Sequence, residues 1–251
     1  MSMKEEKLLK SGERINQLFS TDIKIIQNRE VFSYSVDSVL LSRFPRFPKR
    51  GLIVDFCAGN GAVGLFASTR TQAQILSVEI QERLADMAER SVRLNGLENQ
   101  MQVICDDLKN MPAHIRGNKV DMILCNPPYF KVDPRSNLND SEHYLLARHE
   151  ITTNLDEICR SAQSILKSNG RLAMVHRPDR LLDILDMLQR YNLAPKRLQL
   201  VYPKRGKEAN MLLIEAIKDG SINGFKILPP LIVHNADGSY TPEIQEIYYG
   251  I

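Results

Sequence analysis

Two stretches of the chain combine residue types able to bind and orient a small ligand. The first, Asp55-Phe56-Cys57-Ala58-Gly59-Asn60-Gly61-Ala62-Val63-Gly64, ends in the spacing GxGxxG. Glycines at that spacing let a backbone turn tightly, approach a ligand closely and open a helix whose first N–H groups face it. The second is Asn126-Pro127-Pro128-Tyr129, directly after the apolar run Asp121 to Cys125. Two prolines fix the backbone and remove two N–H donors, so the Asn126 side chain and the Pro127 carbonyl stand as converging acceptors beside the flat face of Tyr129. Such a set suits an amine whose lone pair is delocalised into a ring or carbonyl. One acceptor on each N–H orients the amino group and turns its lone pair toward an electrophile.

The elements that must position these residues are legible from Gly51 onward, where short β-branched runs alternate with longer amphipathic stretches. The pattern predicts strands at Leu52 to Phe56, Gln74 to Val78, Met101 to Cys105, Asp121 to Cys125, Gly170 to His176, Arg197 to Tyr202 and Met211 to Ile217. Helices are expected at Val63 to Thr69, Gln81 to Asn95, Leu155 to Lys167 and Asp179 to Tyr191, with Asn95-Gly96 and Asn169-Gly170 as C-caps. The expected architecture is α/β, a doubly wound, mostly parallel sheet of about seven strands. Residues 1–50 form an extension packed on a catalytic domain of residues 51–251. Lys131 to Asn154 is a polar insertion beside a strand end, and Asp237-Gly238 marks an edge hairpin in the tail. Ligands of open α/β sheets bind outside the carboxyl ends of the strands, so the two stretches share one crevice if the first and fourth strands are neighbours.

A glycine loop of this kind also serves dinucleotides, with Glu79 at the end of the second strand placed for a ribose. Asp55 argues against a pyrophosphate: like charges ~4 Å apart at an effective dielectric of ~20 repel by about 4 kcal/mol. A cationic ligand reverses the sign, and S-adenosyl-L-methionine offers both an ammonium and a sulfonium. A nicotinamide oxidoreductase would leave both Asp55 and the NPPY tetrapeptide unexplained.

DFCAGNGAVG resembles motif I of the class I S-adenosylmethionine-dependent methyltransferases. The resemblance implies a donor site formed by Asp55, Cys57, Ala58, Gly59, Asn60 and Gly61. It continues with Glu79 and Ile80 after the second strand and with Asp106, Asp107 and Leu108 after the third, where a carboxylate accepts from the adenine amine. Asp106 is the first choice and Asp107 the alternative, and both also suit N-caps of the following helix. NPPY resembles motif IV of amino-methyltransferases, which act on adenine N6, guanine N2 or a glutamine amide of release factors. In that resemblance Asn126, Pro127, Pro128 and Tyr129 hold and stack the target amine, and Asn126 also borders the donor.

The stretch Ile23 to Phe44, the segment Ala147 to Glu150, His176 to Leu181 and Tyr202 to Lys204 are similar to the bacterial family that methylates adenine N6 in a valine tRNA beside its anticodon. That likeness implies that Tyr34 and Asp37 lie beside the donor pocket. Fifty residues before the first clear strand leave little room for the helical domain of release-factor enzymes. At 251 residues there is no space for the duplicated half of ribosomal guanine-N2 enzymes.

Composition fits this expectation. No apolar run approaches the ~20 residues of a membrane span, and the charged N-terminus is unlike a signal peptide, so a cytoplasmic chain is expected. Cys57, Cys105, Cys125 and Cys159 are far apart and form no CxxC pair, which suggests reduced core thiols and no metal site. The net charge is +3, with residues 1–50 at +4, 51–168 at −3, 169–210 at +5 and 211–251 at −3. Two basic blocks suit a polyanion, so tRNA phosphates are expected at several of Lys131, Arg135, Arg148, Arg177, Arg180, Lys204, Arg205 and Lys207. His149 is expected as a base-stacking or phosphate contact, with a local hydrogen-bond partner as the alternative. His114, His143 and His234 have no assigned role.

Overall fold

The computed structural model describes residues 7–18, 21–28, 35–117, 119–128 and 155–249. A hairpin of β1 (Glu13–Gln17) and β2 (Lys24–Asn28) comes first, followed by α1 (Val36–Arg43). Then β3 (Leu52–Phe56), α2 (Ala62–Ser68), β4 (Gln74–Glu79), α3 (Glu82–Leu94) and β5 (Met101–Cys105) alternate. A 3-10 turn (Leu108–Asn110) and α4 (Met111–His114) lead to β6 (Val120–Cys125). After the insertion come α5 (Leu155–Ile165), β7 (Leu166–His176), α6 (Leu181–Arg190), β8 (Leu193–Lys204) and β9 (Met211–Lys218). The short β10 (Lys226–Ile227) and β11 (Leu231–His234) precede α7 (Pro242–Tyr249).

The main sheet runs β5-β4-β3-β6-β7-β9-β8, with β10 and β11 both pairing along the outer side of β8. Only β9 opposes its neighbours. The winding reverses between β3 and β6, which pair in parallel with Phe56 opposite Cys125. The glycine loop and the NPPY stretch therefore leave adjacent strands at the same, carboxyl edge. Such a switch point is where open α/β sheets bind ligands.

Side chains alternate between the two faces of each strand, and two apolar cores result. Ile53, Leu65, Met122, Leu124 and Val175 belong to the core covered by α1 and α2, whereas Val54, Phe56, Ile123, Ile158 and Leu188 belong to the one under α5 and α6. By this alternation Asp55 points into the first core, a carboxylate in an apolar row. The β1–β2 hairpin is fastened to α3 by Ile26, Leu84 and Met87 and by Arg90, whose guanidinium meets Glu13 at 2.5 Å and Asp86 at 2.6 Å.

Several expectations are corrected. Asn169 does adopt a left-handed conformation (φ 65), but α5 ends at Ile165 and Asn169 lies within β7, beyond the pairing of Leu166 with Val120. The ladder shifts register before Met122 meets Arg171, so the turn is a strand irregularity and not a helix cap. Asn95-Gly96 does end α3: Gly96 has φ 65, and Leu97 N–H bonds the Val92 carbonyl at 3.1 Å. In the tail only one arm is a strand. β11 pairs with β8, the turn returns through a single His234–Tyr240 bridge, and α7 follows where no helix was expected. Of the four thiols, Cys125 and Cys159 are buried, Cys57 is half-buried and Cys105 is exposed beside Ile80 at the edge. The insertion at Lys131 to Asn154 lies outside the described residues. No described helix is long and apolar enough to cross a membrane.

Candidate functional site

The glycine loop is shaped by backbone conformations that few residues tolerate. Cys57, Gly59 and Gly61 have φ of 57, 57 and 84. Gly64 serves packing: a Cβ there would lie 2.7 Å from Met101 Cε and 2.8 Å from Ser77 Oγ, so α2 lies tightly on β4. Two buried carboxylates brace the loop from below. Glu79 accepts from Gly59 N–H at 2.7 Å and Gln81 N–H at 2.9 Å, and burial raises its pKa. Asp55 has no exposed surface and accepts from Gly64 N–H at 3.1 Å. Its other oxygen, Oδ1, has no hydrogen-bond partner among the described residues. Burial pushes the Asp55 pKa up to about 8, with the neighbouring Glu79 charge adding to the shift.

Asp55 is therefore mostly protonated at neutral pH in the absence of a ligand, a correction to the full negative charge expected of it. Desolvation is the reason. The paired carboxylates with one orphaned oxygen nevertheless fit a cationic group, which would draw the proton off by the opposite-charge effect. They suit a pyrophosphate poorly.

Asn60 is fully buried, and its amide donates to the Ile26 carbonyl of β2 at 3.1 Å. It ties the N-terminal hairpin to the glycine loop. Ala58 is buried, and Gly61 opens α2 with its N–H on the Ala58 carbonyl at 2.9 Å.

After β4 and β5 the expected residues divide. Ile80 is 43% exposed, an apolar face presented at the edge. Asp106 is half-buried and accepts from Asp107 N–H, from the Asn110 amide at 2.8 Å and meets His114 Nε2 at 2.7 Å. The Asn110 amide and the His114 ring hold its carboxyl below the usual range. Asp107 is the cap of the 3-10 turn, accepting from Lys109 N–H at 3.0 Å. The Leu108 side chain is buried with Met111 and Ile115 in the second core, so only its backbone is placed to border the crevice. As the one apolar residue at the start of that turn, it is driven inward.

Asn126 leaves β6 half-buried, and its Nδ2 donates to Ser38 Oγ at 3.3 Å. The hydroxyl uses the donor end of the amide, so a role as acceptor falls to Oδ1. Pro127 is buried and Pro128 half-buried. Ser38 is buried in the first turn of α1, directly after the half-buried Asp37, so α1 closes the crevice over β6. Tyr129, Tyr34, Lys131, Arg135, His143, Arg148 and His149 lie outside the described residues.

Ser38 and His114 were not among the expected site residues. Ser38 had a signal in its neighbour Asp37. His114 had none short of the fold, because its bond to Asp106 spans a 3-10 turn and a helix.

The carboxyl edge is electrically divided. Asp55, Glu79, Glu82, Asp106 and Asp107 cluster over β3 to β5, whereas Arg177, Arg180, Lys204, Arg205 and Lys207 follow β7 and β8. His176, at the end of β7, is 2% exposed, and burial lowers its pKa to about 4, so it stays neutral. Two open cavities of about 270 and 320 Å³ adjoin Met101 at the start of β5 and Leu193 at the start of β8. Both are on the amino edge, away from this chemistry. Among the described residues no cluster of His, Cys, Asp or Glu is arranged to hold a metal ion.

Comparison with known proteins agrees with this geometry. Residues 22–191 match the family described as methyltransferase small domain. The chain is 29% identical over 215 residues to a tRNA1(Val) (adenine(37)-N6)-methyltransferase of Porphyromonas gingivalis, covering 82% of this chain and 83% of that one. The protein of the same name from Photobacterium profundum is 24% identical, with coverage of 83% and 86%. Among solved structures, a predicted O-methyltransferase from Agrobacterium tumefaciens superposes with a TM-score of 0.67 at 22% identity, covering 84% of this chain and 95% of that one. Geranyl diphosphate C-methyltransferase from Streptomyces coelicolor A3(2), holding S-adenosyl-L-homocysteine, has a TM-score of 0.56 at 13% identity, with coverage of 73% and 77%. These two show the fold.

Proposed function

Because the chain belongs to the methyltransferase small domain family, we propose that it is a cytoplasmic enzyme transferring a methyl group from S-adenosyl-L-methionine to N6 of an adenine in tRNA. A valine tRNA, methylated beside its anticodon, is the substrate that the names of its relatives support. The observation that carries the reading is the meeting of the glycine loop and Asn126-Pro127 at the β3–β6 switch point, Phe56 opposite Cys125.

When bound, the donor supplies an electrophilic methyl on a positively charged sulfur. Asp55 and Glu79 brace the loop beneath it and carry the countercharge, Ile80 offers an apolar face for a planar ring, and Asp106 accepts from an exocyclic amine. On the acceptor side Asn126 Oδ1 and the Pro127 carbonyl take the two N–H groups of the adenine amine, with Tyr129 stacked on its ring. Held this way, the lone pair faces the methyl as the methyl's bond to sulfur breaks; no base need act before transfer, and the amine gives up one proton to water after it. Ser38 acts one step back by fixing the Asn126 amide. Residues 1–50 serve as an extension of the catalytic domain, joined to the loop through Asn60.

The test is transfer from isotope-labelled donor to total tRNA lacking its native modification, digested to nucleosides, with Asn126→Ala alongside. Label in N6-methyladenosine that disappears with the variant is the expected result. Label in N2-methylguanosine, or on glutamine of protein in a cell extract, would replace the adenine reading.

A further inference from the structure

At the carboxyl edge β8 continues past its last pairing with β9, Val201 opposite Met211, as a parallel ribbon with β11. Tracing register from Asn126 across β7 and β9 places Val175, Leu213 and Gln199 at its level. Lys204 is five residues further along β8, about 16 Å beyond that level at ~3.3 Å per residue. Sideways, β6 and β8 are three strand spacings apart, about 14 Å. The ribbon tip thus stands roughly 20 Å from Asn126, on the flank away from the acidic loops.

That tip is basic and firmly held. Arg205 and Lys207 are exposed and Lys204 half-buried. None of the three makes an ion pair among the described residues, although Glu208 is their neighbour in sequence and Asp237 feels the charge of Lys204. Gly206 turns the tip with φ 78, and Lys207 N–H bonds the Lys204 carbonyl at 3.2 Å. β11 supports it from outside, with Lys204 Nζ on the Ala236 carbonyl at 3.4 Å. Behind β11 the rings of His234, Tyr240 and Tyr248 stack at 5.1 and 5.2 Å. The neighbouring cations are committed elsewhere: Arg180, its side chain 11% exposed, bonds Asp183 at 2.8 Å, and Arg177 meets Asp179 at 3.4 Å.

We infer that Lys204, Arg205 and Lys207 form a distal clamp on the phosphodiester backbone of the RNA, engaging it several nucleotides from the adenine held at Asn126. The inference rests on the RNA reading above and extends it. At the ~3.4 Å rise of a stacked strand, roughly 20 Å is about six nucleotides, so a folded tRNA reaches both points and a trinucleotide centred on the adenine does not. An ordered, unpaired cationic tip suits phosphate, because it fixes position without reading sequence.

The experiment measures binding of an unmodified tRNA transcript, and of a trinucleotide centred on the target adenine, across a salt series. The wild type is compared with Lys204→Ser/Arg205→Ser/Lys207→Ser and with Lys49→Ser/Arg50→Ser/Lys119→Ser, which removes equal charge from exposed positions on the amino edge. The tip variant should bind the transcript roughly tenfold or more weakly, with a log–log salt slope shallower by about 2, and bind the trinucleotide as the wild type does. The amino-edge variant should match the wild type. A tip variant with wild-type slope, or an amino-edge variant that loses as much, overturns the clamp. If the wild type binds the transcript at the tip but transfers no label to adenine, the clamp stands and the proposed reaction fails.

Discussion

Over β3, β4 and β5 the carboxyl edge of the sheet is short, tightly looped and acidic; over β7, β9 and β8 it is long, projecting and basic. In the first half buried carboxylates take backbone N–H groups, and the loops are drawn close to the sheet. In the second the cations are carried out on a ribbon to solvent. A small cation and a large polyanion need these opposite arrangements: one a desolvated pocket with countercharge, the other a wide surface of exposed charge. Asn126 leaves β6 at the seam between them, where the two ligands must meet.

The largest effect expected on the acidic half concerns pH. The ordinary carboxyl value for Asp55 is 3.8 and the folded one about 8, so between these the folded chain holds a proton that the unfolded chain has lost. Stability therefore falls as pH rises through this window, by about 1.4 kcal/mol for each pH unit crossed, and is flat again above it. Asp55→Asn should remove a fall on the order of several kcal/mol, seen as a flatter dependence of denaturation midpoint on pH between about 5 and 8. Donor at saturation should raise the wild-type midpoint most at the alkaline end, where the carboxylate is already charged.

At the seam, Asn126→Ala should lower kcat about a hundredfold or more while the donor Kd stays within a factor of two or so, since the role proposed for Asn126 is a contact to the reacting amine. Parallel loss of donor affinity would move Asn126 into the acidic half. A smaller change, roughly tenfold, is expected in donor affinity for Glu79→Ala, which releases the Gly59 and Gln81 N–H groups. Calorimetry with S-adenosyl-L-homocysteine reads it directly. Ser38→Ala should cost kcat only a few-fold, the worth of one neutral hydrogen bond, and leave both affinities alone.

What could be read from the chain follows the range of the interactions. β3 and β5 begin and end where the apolar runs do, because strand pairing and burial repeat every second residue. The glycine loop and NPPY are local signals as well, and their meeting followed once β3 and β6 proved adjacent. Contacts far apart in sequence were not legible: Ser38 and Asn126 are 88 residues apart, Asn60 and Ile26 34. Nor is burial a local property, and so the protonation of Asp55 and the inward turn of Leu108 waited on the fold. The start of α7 did have its signal, Thr241-Pro242-Glu243, but the Asp237-Gly238 turn beside it speaks for a hairpin.

The most direct test of a divided edge is a crossed binding measurement. Donor Kd by calorimetry and transcript Kd with its salt slope are determined for Glu79→Ala and for the Lys204/Arg205/Lys207 triple variant. Each variant should lose one ligand and keep the other: Glu79→Ala weakens the donor and leaves the transcript slope unchanged, while the triple variant does the reverse. Loss of both ligands in both variants, or transcript binding that falls with Glu79→Ala, would contradict the division.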